Sequence, residues 1–415
     1  MNRETILTSG PGGRILTNAN VWSADGQWIV FDTRSDPAGS VFDGTRIQAV
    51  HVETHEVRTL FESRHGACCG VASCHPTEMK VVCILGPEFP TAEWSYGPSR
   101  RQGIVIDFDG RVQNLDARDL DPPFTPGAFS GGSHLHMWHN KGDWISFTYE
   151  DEVLGRTGVP PVSVCNSPCS VDGGTVGTPA LARNRPDAGI RLRNIGIAYP
   201  DRPVTVPKTH PRNHDGDYFC KLITRTAANP LVESDEISRA CEEAWVGATR
   251  RLAFQGTVHT AAGPVVEVFL VELLRSGFAQ HRLTRTTHRQ FPGVQGPRHW
   301  LRSSPDGSKI GFFMKDKLGV AQFWTLSPRG GEPQQVTDGP LPMASAFTWH
   351  PDGRSVACIV DGSVSLIDTV SGTVTRLSAK GELRPEACVF SPDGARIAFV
   401  RTVDGVNQVT IVEAE

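Results

Sequence analysis

The sequence predicts an all-β chain folded as a β-propeller, and three observations support that prediction. A turn of the form Ser-Pro-Asp-Gly, followed by an apolar segment, recurs at residues 304–307, 350–353 and 391–394. The recurrence interval of roughly 40–60 residues is that of one propeller blade, and no long helical pattern lies between copies. Weaker copies begin at residues 23, 75, 139, 213 and 245.

The turn has a physical basis in its residue types. Pro presets φ near −65°, Asp accepts local backbone hydrogen bonds, and Gly adopts the positive φ that closes the turn. The segments on either side then form the first two strands of a blade. Because one blade cannot bury both faces of its sheet, neighbouring blades must stack.

The eight turn-like phrases are unevenly spaced, since the phrases around Asp215 and Gly247 lie only half a blade apart. We therefore predict seven blades, one of them elaborated, with eight blades as the alternative. The ring is expected to close by pairing an N-terminal segment (residues 4–8 or 14–18) with the last blade, around residues 408–413.

Length and composition favour one domain over residues 1–415. Two departures from the repeat are predicted: a long insertion around 150–190, rich in Pro, Gly and Ser, and a short helix around 234–245. A net charge of −4 without a basic stripe argues against nucleic-acid binding, and no apolar run is long enough to span a membrane. The first residues lack the apolar core of a signal peptide, so a cytoplasmic location is expected.

A histidine pair lies directly before one of these turns. His134 and His136 are two residues apart, and strict strand alternation would direct both to one face, where they could share a divalent metal. His134 lies five residues before the turn at His139. The same offset gives His299 before Ser304, Glu386 before Ser391 and Ser345 before His350, so His134, His299 and Glu386 are expected to line a common central channel. The alternative is a polar, water-filled channel without a metal.

Two further segments carry ligand-type side chains. His210, Arg212 and His214 lie within five residues, where Arg212 could bind a carboxylate. Trp94 and Arg100 form an aromatic and basic segment suited to a sugar ring or an acidic ligand. A polar loop and packing at a blade edge are the respective alternatives.

The turn repeats resemble those of TolB-type and WD40-like propellers over most of the chain. Residues 132–136, 145–149, 193–198 and 210–216 resemble the YidR-like family of uncharacterised bacterial propellers, which is itself similar to the oligogalacturonate lyases. The lyase resemblance implies a seven-bladed propeller that uses a divalent metal, commonly manganese held by His and Gln. It also implies a further His as base and an Arg near the substrate carboxylate. The lyase's HxH ligand pair matches His134 and His136.

Two functional hypotheses follow. The first is a metal-dependent, β-eliminating lyase acting on an acidic or oxidised sugar. A divalent Mn, Zn, Fe or Ni ion would be held by His134, His136 and His299. The catalytic residues would be His210, Arg212 and His214, and the substrate would be bound by Trp94, Arg100, Arg212 and Glu386. The second is a non-catalytic propeller that binds a protein partner or a small ligand across one face.

Overall fold

The chain is built almost wholly from β-strands. The computed structural model describes residues 4–153, 190–200, 202–275, 277–297, 300–386 and 388–414. Within these ranges the one helical element is a single 3₁₀ turn, Pro98–Arg100, and most strands form four-stranded antiparallel sheets. Among the described residues, no helix has the length and apolar character needed to cross a lipid bilayer.

The N-terminal third contributes two complete sheets, a short parallel ladder and one strand that belongs to the last sheet of the chain. Strand β1 is Glu4–Ile6. The first sheet comprises β2 (Gly13–Ile15), β3 (Trp28–Arg34), β4 (Arg46–His51) and β5 (Val57–Glu62). The second comprises β6 (Cys69–Cys74), β7 (Lys80–Leu85), β8 (Gln102–Asp107) and β9 (Val112–Asn114). Strands β10 (Ala117–Arg118) and β11 (Ala128–Phe129) pair in parallel in the connection that follows.

The central third forms an eight-stranded sheet made of two consecutive antiparallel units. The third unit contains β12 (Gly132–Trp138), β13 (Ile145–Val153), β14 (Ile190–Tyr199) and β15 (Phe219–Leu222). The fourth contains β16 (Ile237–Trp245), β17 (Arg251–Thr260), β18 (Gly263–Leu274) and β19 (Gly277–Arg282). One parallel pair, Arg193 with Arg239, joins the two units.

The C-terminal third adds three more sheets and closes onto the N-terminus. These contain β20 (Arg302–Ser303), β21 (Ile310–Lys315), β22 (Ala321–Leu326) and β23 (Gln334–Gln335); β24 (Thr348–Trp349), β25 (Ser355–Val360), β26 (Ser363–Asp368) and β27 (Val374–Arg376); and β28 (Val389–Phe390), β29 (Arg396–Val403) and β30 (Val406–Glu413). Strand β1 completes the last sheet by pairing with β30. This confirms the first of the two closures predicted from the sequence.

The repeated turn joins the first two strands of each unit and has the predicted hydrogen bonds. In the copy at Ser304, the serine hydroxyl donates to Asp306 Oδ1 over 2.6 Å, and the same oxygen accepts from the Ser308 N–H over 3.0 Å. Gly307 has φ +72°, the left-handed conformation that the turn requires. The phrase at residues 213–216 is different, because it lies in the connection from β14 to β15. It therefore does not join the first two strands of a unit.

The predicted helix around 234–245 is wrong, because Ile237–Trp245 is strand β16. Ile237 and Trp245 are buried in a cluster with Phe254 and Phe269 of the neighbouring strands. Tertiary pairing and burial thus override the local helical preference of its Ala and Glu residues. Of the predicted insertion around 150–190, residues 150–153 and 190 lie in strands, and residues 154–189 lie outside the described ranges.

Neighbouring units pack face to face through apolar side chains. One cluster joins Ala253 and Leu270 of the fourth unit to Ile310 and Phe312 of the fifth. Burying a side chain of this size contributes about 1.5–3 kcal/mol. Apolar packing of this kind holds the fourth and fifth units against each other.

Candidate functional site

The first strands of three consecutive units share one irregularity. Val71, Leu135 and Glu242 have φ values of 61°, 57° and 55°, and each lies within a register shift of β6, β12 or β16. Each residue is four positions before the start of its turn, which in the fourth unit begins at Val246, one residue later than the sequence suggested. A β-bulge of this kind redirects the neighbouring side chains and is common beside functional sites.

The bulge changes how the two histidines of β12 are presented. His134 and Ser133 pair regularly with β13, so their side chains leave opposite faces of the strand. His136 contacts the Ser133 hydroxyl through Nε2 at 3.0 Å. Its ring therefore lies on the face of Ser133, and the expectation of a common face for His134 and His136 is not met.

Both imidazoles are buried and neutral. His134 is 6% exposed and His136 is fully buried. Burial lowers the pKa of His136 to about 3 and holds that of His134 well below its usual value, in both cases with help from the charge of Arg101. The Nδ1 atoms of both rings lack a hydrogen-bond partner among the described residues. Each ring is therefore in the protonation state that could bind a metal or accept a hydrogen bond.

These residues do not complete a metal site by themselves. In the described ranges, no three His, Cys, Asp or Glu side chains cluster closely enough to hold an ion. His299, the third predicted ligand, lies outside the described residues. Two unpartnered nitrogens on opposite faces of one strand supply too few donors for a tetrahedral or octahedral site.

Guanidinium groups surround His134. Arg101, Arg193 and Arg239 all add to the lowering of its pKa, so their charges lie close to the ring. Arg193 is neutralised by Glu150, its register partner on β13, to which its Nε donates over 2.8 Å. Arg101 and Arg239 form no ion pair with a described residue, and the Nε of Arg239 is buried without a partner there. The region around His134 is therefore positively charged and suited to an anion.

A second basic group surrounds Trp94 on the connection from β7 to β8. The guanidinium carbons of Arg100, Arg118 and Arg212 lie 5.1, 5.5 and 5.8 Å from the Trp94 ring centroid. None of the three forms an ion pair with a described residue. Arg118 links the two basic groups, because it also donates to the carbonyl oxygen of Arg101 over 2.7 Å.

The residues between β14 and β15 form an arm that reaches this second group. Arg212 donates to the carbonyl oxygens of Glu88 and Phe89 over 2.6 and 2.9 Å. His214 pairs through its backbone with Arg118. The arm therefore brings Arg212 to Trp94 and Arg100, three residues that the sequence suggested in two separate segments. Much of the Arg212 guanidinium is engaged with backbone carbonyls, which leaves less of it for a substrate carboxylate.

His214 and His210 differ in their surroundings. Burial and the nearby Arg118 charge lower the pKa of His214 to about 4, and its Nε2 is buried without a partner among the described residues. His210 Nδ1 accepts from the Arg212 N–H over 3.0 Å, a contact typical of a turn. His214 is thus the arm histidine with a free, unprotonated nitrogen.

Glu386 lies apart from both basic groups. It is 6% exposed and pairs with Arg384, 3.3 Å from Arg384 Nε, in the connection before β28. The structure shows no contact between Glu386 and Trp94, Arg100 or Arg212.

Sequence reasoning missed Glu243 and Arg302. Glu243 is buried, accepts from Thr148 Oγ1 over 2.9 Å, and has its pKa raised to about 7, mainly by burial. Arg302 is buried beside it, and burial lowers its pKa to about 9. Glu243 lies three residues before the turn at Val246, as His136 does before His139. Applying the repeat to the turn predicted at Trp245 would have indicated the neighbouring Glu242, because the structure begins this turn one residue later.

Comparison with known proteins agrees with this architecture. A family model described as a protein of unknown function (DUF3748) matches residues 68–214. An oligogalacturonate lyase in complex with manganese has a TM-score of 0.58 at 11% identity, covering 99% of this chain and 92% of that chain. An oligogalacturonate lyase from Vibrio parahaemolyticus has a TM-score of 0.54 at 12% identity, covering 99% and 93%. These similarities show an all-β fold of the propeller type.

The similarity to one curated relative identifies the family of this chain. The uncharacterized protein YidR of Escherichia coli (strain K12) is 37% identical over 422 residues, which cover 95% of this chain and 94% of the relative. At that identity over almost its whole length, the chain belongs to the YidR family.

Proposed function

We propose that the chain forms a single seven-bladed ring. Five sheets have four strands each, and the eight-stranded sheet contains two such units, which makes five plus two, or seven, among the described residues. The pairing of β1 with β30 joins the two ends of this series. On this arrangement, His134 and the residues at its level line one end of a central channel.

We further propose that this end binds an acidic oligosaccharide and cleaves it by β-elimination. The observation that carries the proposal is the pair of linked basic groups. Arg101 and Arg239 beside His134, and Arg100, Arg118 and Arg212 around Trp94, form no ion pair with a described residue. Neighbouring cations that form no such ion pair suit a ligand with several negative charges, and an indole ring suits a sugar ring. The structurally similar oligogalacturonate lyases are named for an acidic oligosaccharide of this kind.

The chemistry assigns distinct roles to these side chains. Arg101 and Arg239 would bind the carboxylate of the reacting sugar and so stabilise negative charge that develops next to it. An unprotonated histidine would take the proton from the carbon α to that carboxylate. We assign this role to His214 because of its protonation state. The electron pair of the C–H bond becomes a C=C bond, the C–O bond to the leaving sugar breaks, and the leaving oxygen takes up a proton.

A divalent metal is implied by the family resemblance and by the manganese-bound neighbour. The ligands suggested by the sequence, His134, His136 and His299, do not fit a common ion among the described residues, because His134 and His136 leave opposite faces of β12. The proposed elimination therefore assigns no step to a metal. Elemental analysis of the purified protein tests this point: a stoichiometric metal that is lost in H134A/H136A, with the fold retained, would contradict it.

The activity is tested with tri-galacturonate, measuring the ultraviolet absorbance of the unsaturated product and, separately, binding by calorimetry. The double variant R101Q/R239Q should lose binding and cleavage. R58Q, which changes an arginine exposed on β5, should retain both. Binding without cleavage would favour the alternative of a non-catalytic propeller. Absence of binding would overturn the proposed substrate class.

A further inference from the structure

A separate cavity opens between the third and fourth units. Its volume is about 480 Å³, within the usual range for small-molecule sites. Strands β14, β15, β18 and β19 and the residues after two repeated turns form its walls. The lining residues used below are Trp144, Tyr199, Lys221, Arg250, Arg275 and Phe278.

The charged side chains of the lining are all cations. Lys221 and Arg275 are exposed and form no ion pair with a described residue. Arg250 is different, because it pairs with Asp143 and its guanidinium carbon lies 3.6 Å from the Trp144 ring centroid. Two uncompensated positive charges therefore remain at the rim of the cavity.

The rest of the wall is aromatic and apolar. Trp144 and Tyr199 meet edge to face, with ring centroids 4.7 Å apart. Phe278 and the buried Ile223 complete the apolar surface. The Arg250 guanidinium carbon, 3.6 Å from the Trp144 ring centroid, places a group that can stack on aromatic rings in this wall.

From these observations we propose that the cavity is a binding site for a small organic anion with a flat, apolar ring body. The ring would contact Phe278, Tyr199 and the Arg250 plane. The carboxylate or phosphate of the ligand would be bound by Lys221 and Arg275.

This site is distinct from the one around His134. Trp144 directly precedes Ile145, and Ile145 pairs with Trp138 at the end of β12 that leads into the turn. His134 pairs with Thr148, which is further from the turn. The three steps from Ile145 to Thr148 on the regular partner strand span about 10 Å. The cavity also lies on the third and fourth strands of its units, away from the first strands.

The test uses 2-naphthoate as the probe, with 2-naphthamide as its uncharged analogue and acetate as an anion without a ring. Calorimetry on the full chain should show saturable binding of 2-naphthoate with a dissociation constant below about 1 mM. The amide should bind at least about tenfold more weakly, as expected when a charged contact is lost. Acetate should show no saturable binding.

The double variant K221Q/R275Q should weaken 2-naphthoate binding by about tenfold or more. Both side chains are exposed, so the urea midpoint should stay at the wild-type value. The matched control is K317Q, which changes an exposed lysine on the loop from β21 to β22. Three results would overturn the proposal: no saturable binding of 2-naphthoate, equal binding of the amide, or unchanged binding in K221Q/R275Q.

Discussion

Trp22 donates its indole N–H to the carbonyl oxygen of Val389 over 2.9 Å, and so joins the first sheet to the last. Trp245 makes the equivalent bond to Met137 over 3.2 Å, and Trp349 to Arg302 over 3.0 Å. Each tryptophan directly precedes its turn, and each acceptor lies two residues before the turn of the preceding unit. The contact between the two ends of the chain is therefore of the same kind as the contacts between consecutive units.

This equivalence predicts the effect of Trp22→Phe. The change removes the indole N–H and with it one of the hydrogen bonds to Val389, which also pairs with Ala398 in the β28–β29 ladder, so the free energy of unfolding should fall by about 0.5–1.5 kcal/mol. Trp349→Phe should have a similar effect, and both variants should unfold in one transition when followed by urea denaturation. Two separate transitions in W22F alone would show that the ends of the chain are joined less cooperatively than the interior units.

Gly132 sets how closely the connection before β8 approaches β12. A Cβ at this position would lie 2.3 Å from the Pro98 carbonyl oxygen and 2.8 Å from the Arg101 nitrogen, both backbone atoms. Gly132→Ala should therefore push residues 98–101 away from β12 and lower the free energy of unfolding by about 1–3 kcal/mol. Binding of an acidic oligosaccharide should weaken as well, because Arg101 would move with the loop.

The matched control for this prediction is Gly97→Ala. Gly97 has extended backbone angles, and a Cβ there would meet no atom within 4 Å. Its free energy of unfolding should stay within about 0.5 kcal/mol of wild type. Equal effects of the two substitutions would contradict the proposed close approach at Gly132.

The substitution Arg239→Gln distinguishes a role of this arginine in stability from a role in ligand binding. It faces Arg193 across the parallel pair, and Arg193 already has Glu150 as its ion-pair partner. Arg239→Gln should leave the free energy of unfolding within about 1 kcal/mol of wild type, because it removes a like-charge contact. The affinity for tri-galacturonate should fall by about tenfold. A large loss of stability with unchanged affinity, measured by urea denaturation and calorimetry, would assign Arg239 a structural role instead.

Much of the fold could be predicted because the repeated turn is local. Ser304, Asp306 and Gly307 form their hydrogen bonds within a few residues, so the turn can be recognised in the sequence without knowledge of the tertiary structure. Of the two N-terminal segments predicted as alternatives for the closure, residues 4–8 contain the strand that pairs with β30. The segment Ile237–Trp245 was misassigned because its local helical preference conflicts with a pairing that only the assembled sheet provides.

The site was less predictable because its geometry depends on contacts distant in sequence. The bulge at Leu135 breaks the alternation from which the common face of His134 and His136 was expected. Trp94, Arg118 and Arg212 meet only because the arm after β14 folds back, and nothing in the spacing of these residues indicates that. The raised pKa of Glu243 depends on burial against a neighbouring unit.

The final prediction concerns pH and His214. Burial and the Arg118 charge lower its pKa in the folded chain to about 4, whereas the unfolded chain has the ordinary value near 6.5. Between these values the unfolded chain binds more protons, so the contribution of His214 to stability is complete above about pH 6.5 and is lost as the pH falls towards 4. His214→Asn cannot titrate, and its urea midpoint should therefore fall less than that of wild type between pH 7 and pH 4.5. His281→Asn, at an exposed position of β19, controls for loss of a histidine as such and should follow the wild-type profile. If H214N and wild type lose stability in parallel over this range, His214 is not held unprotonated by the fold, and its proposed role as the base loses its main support.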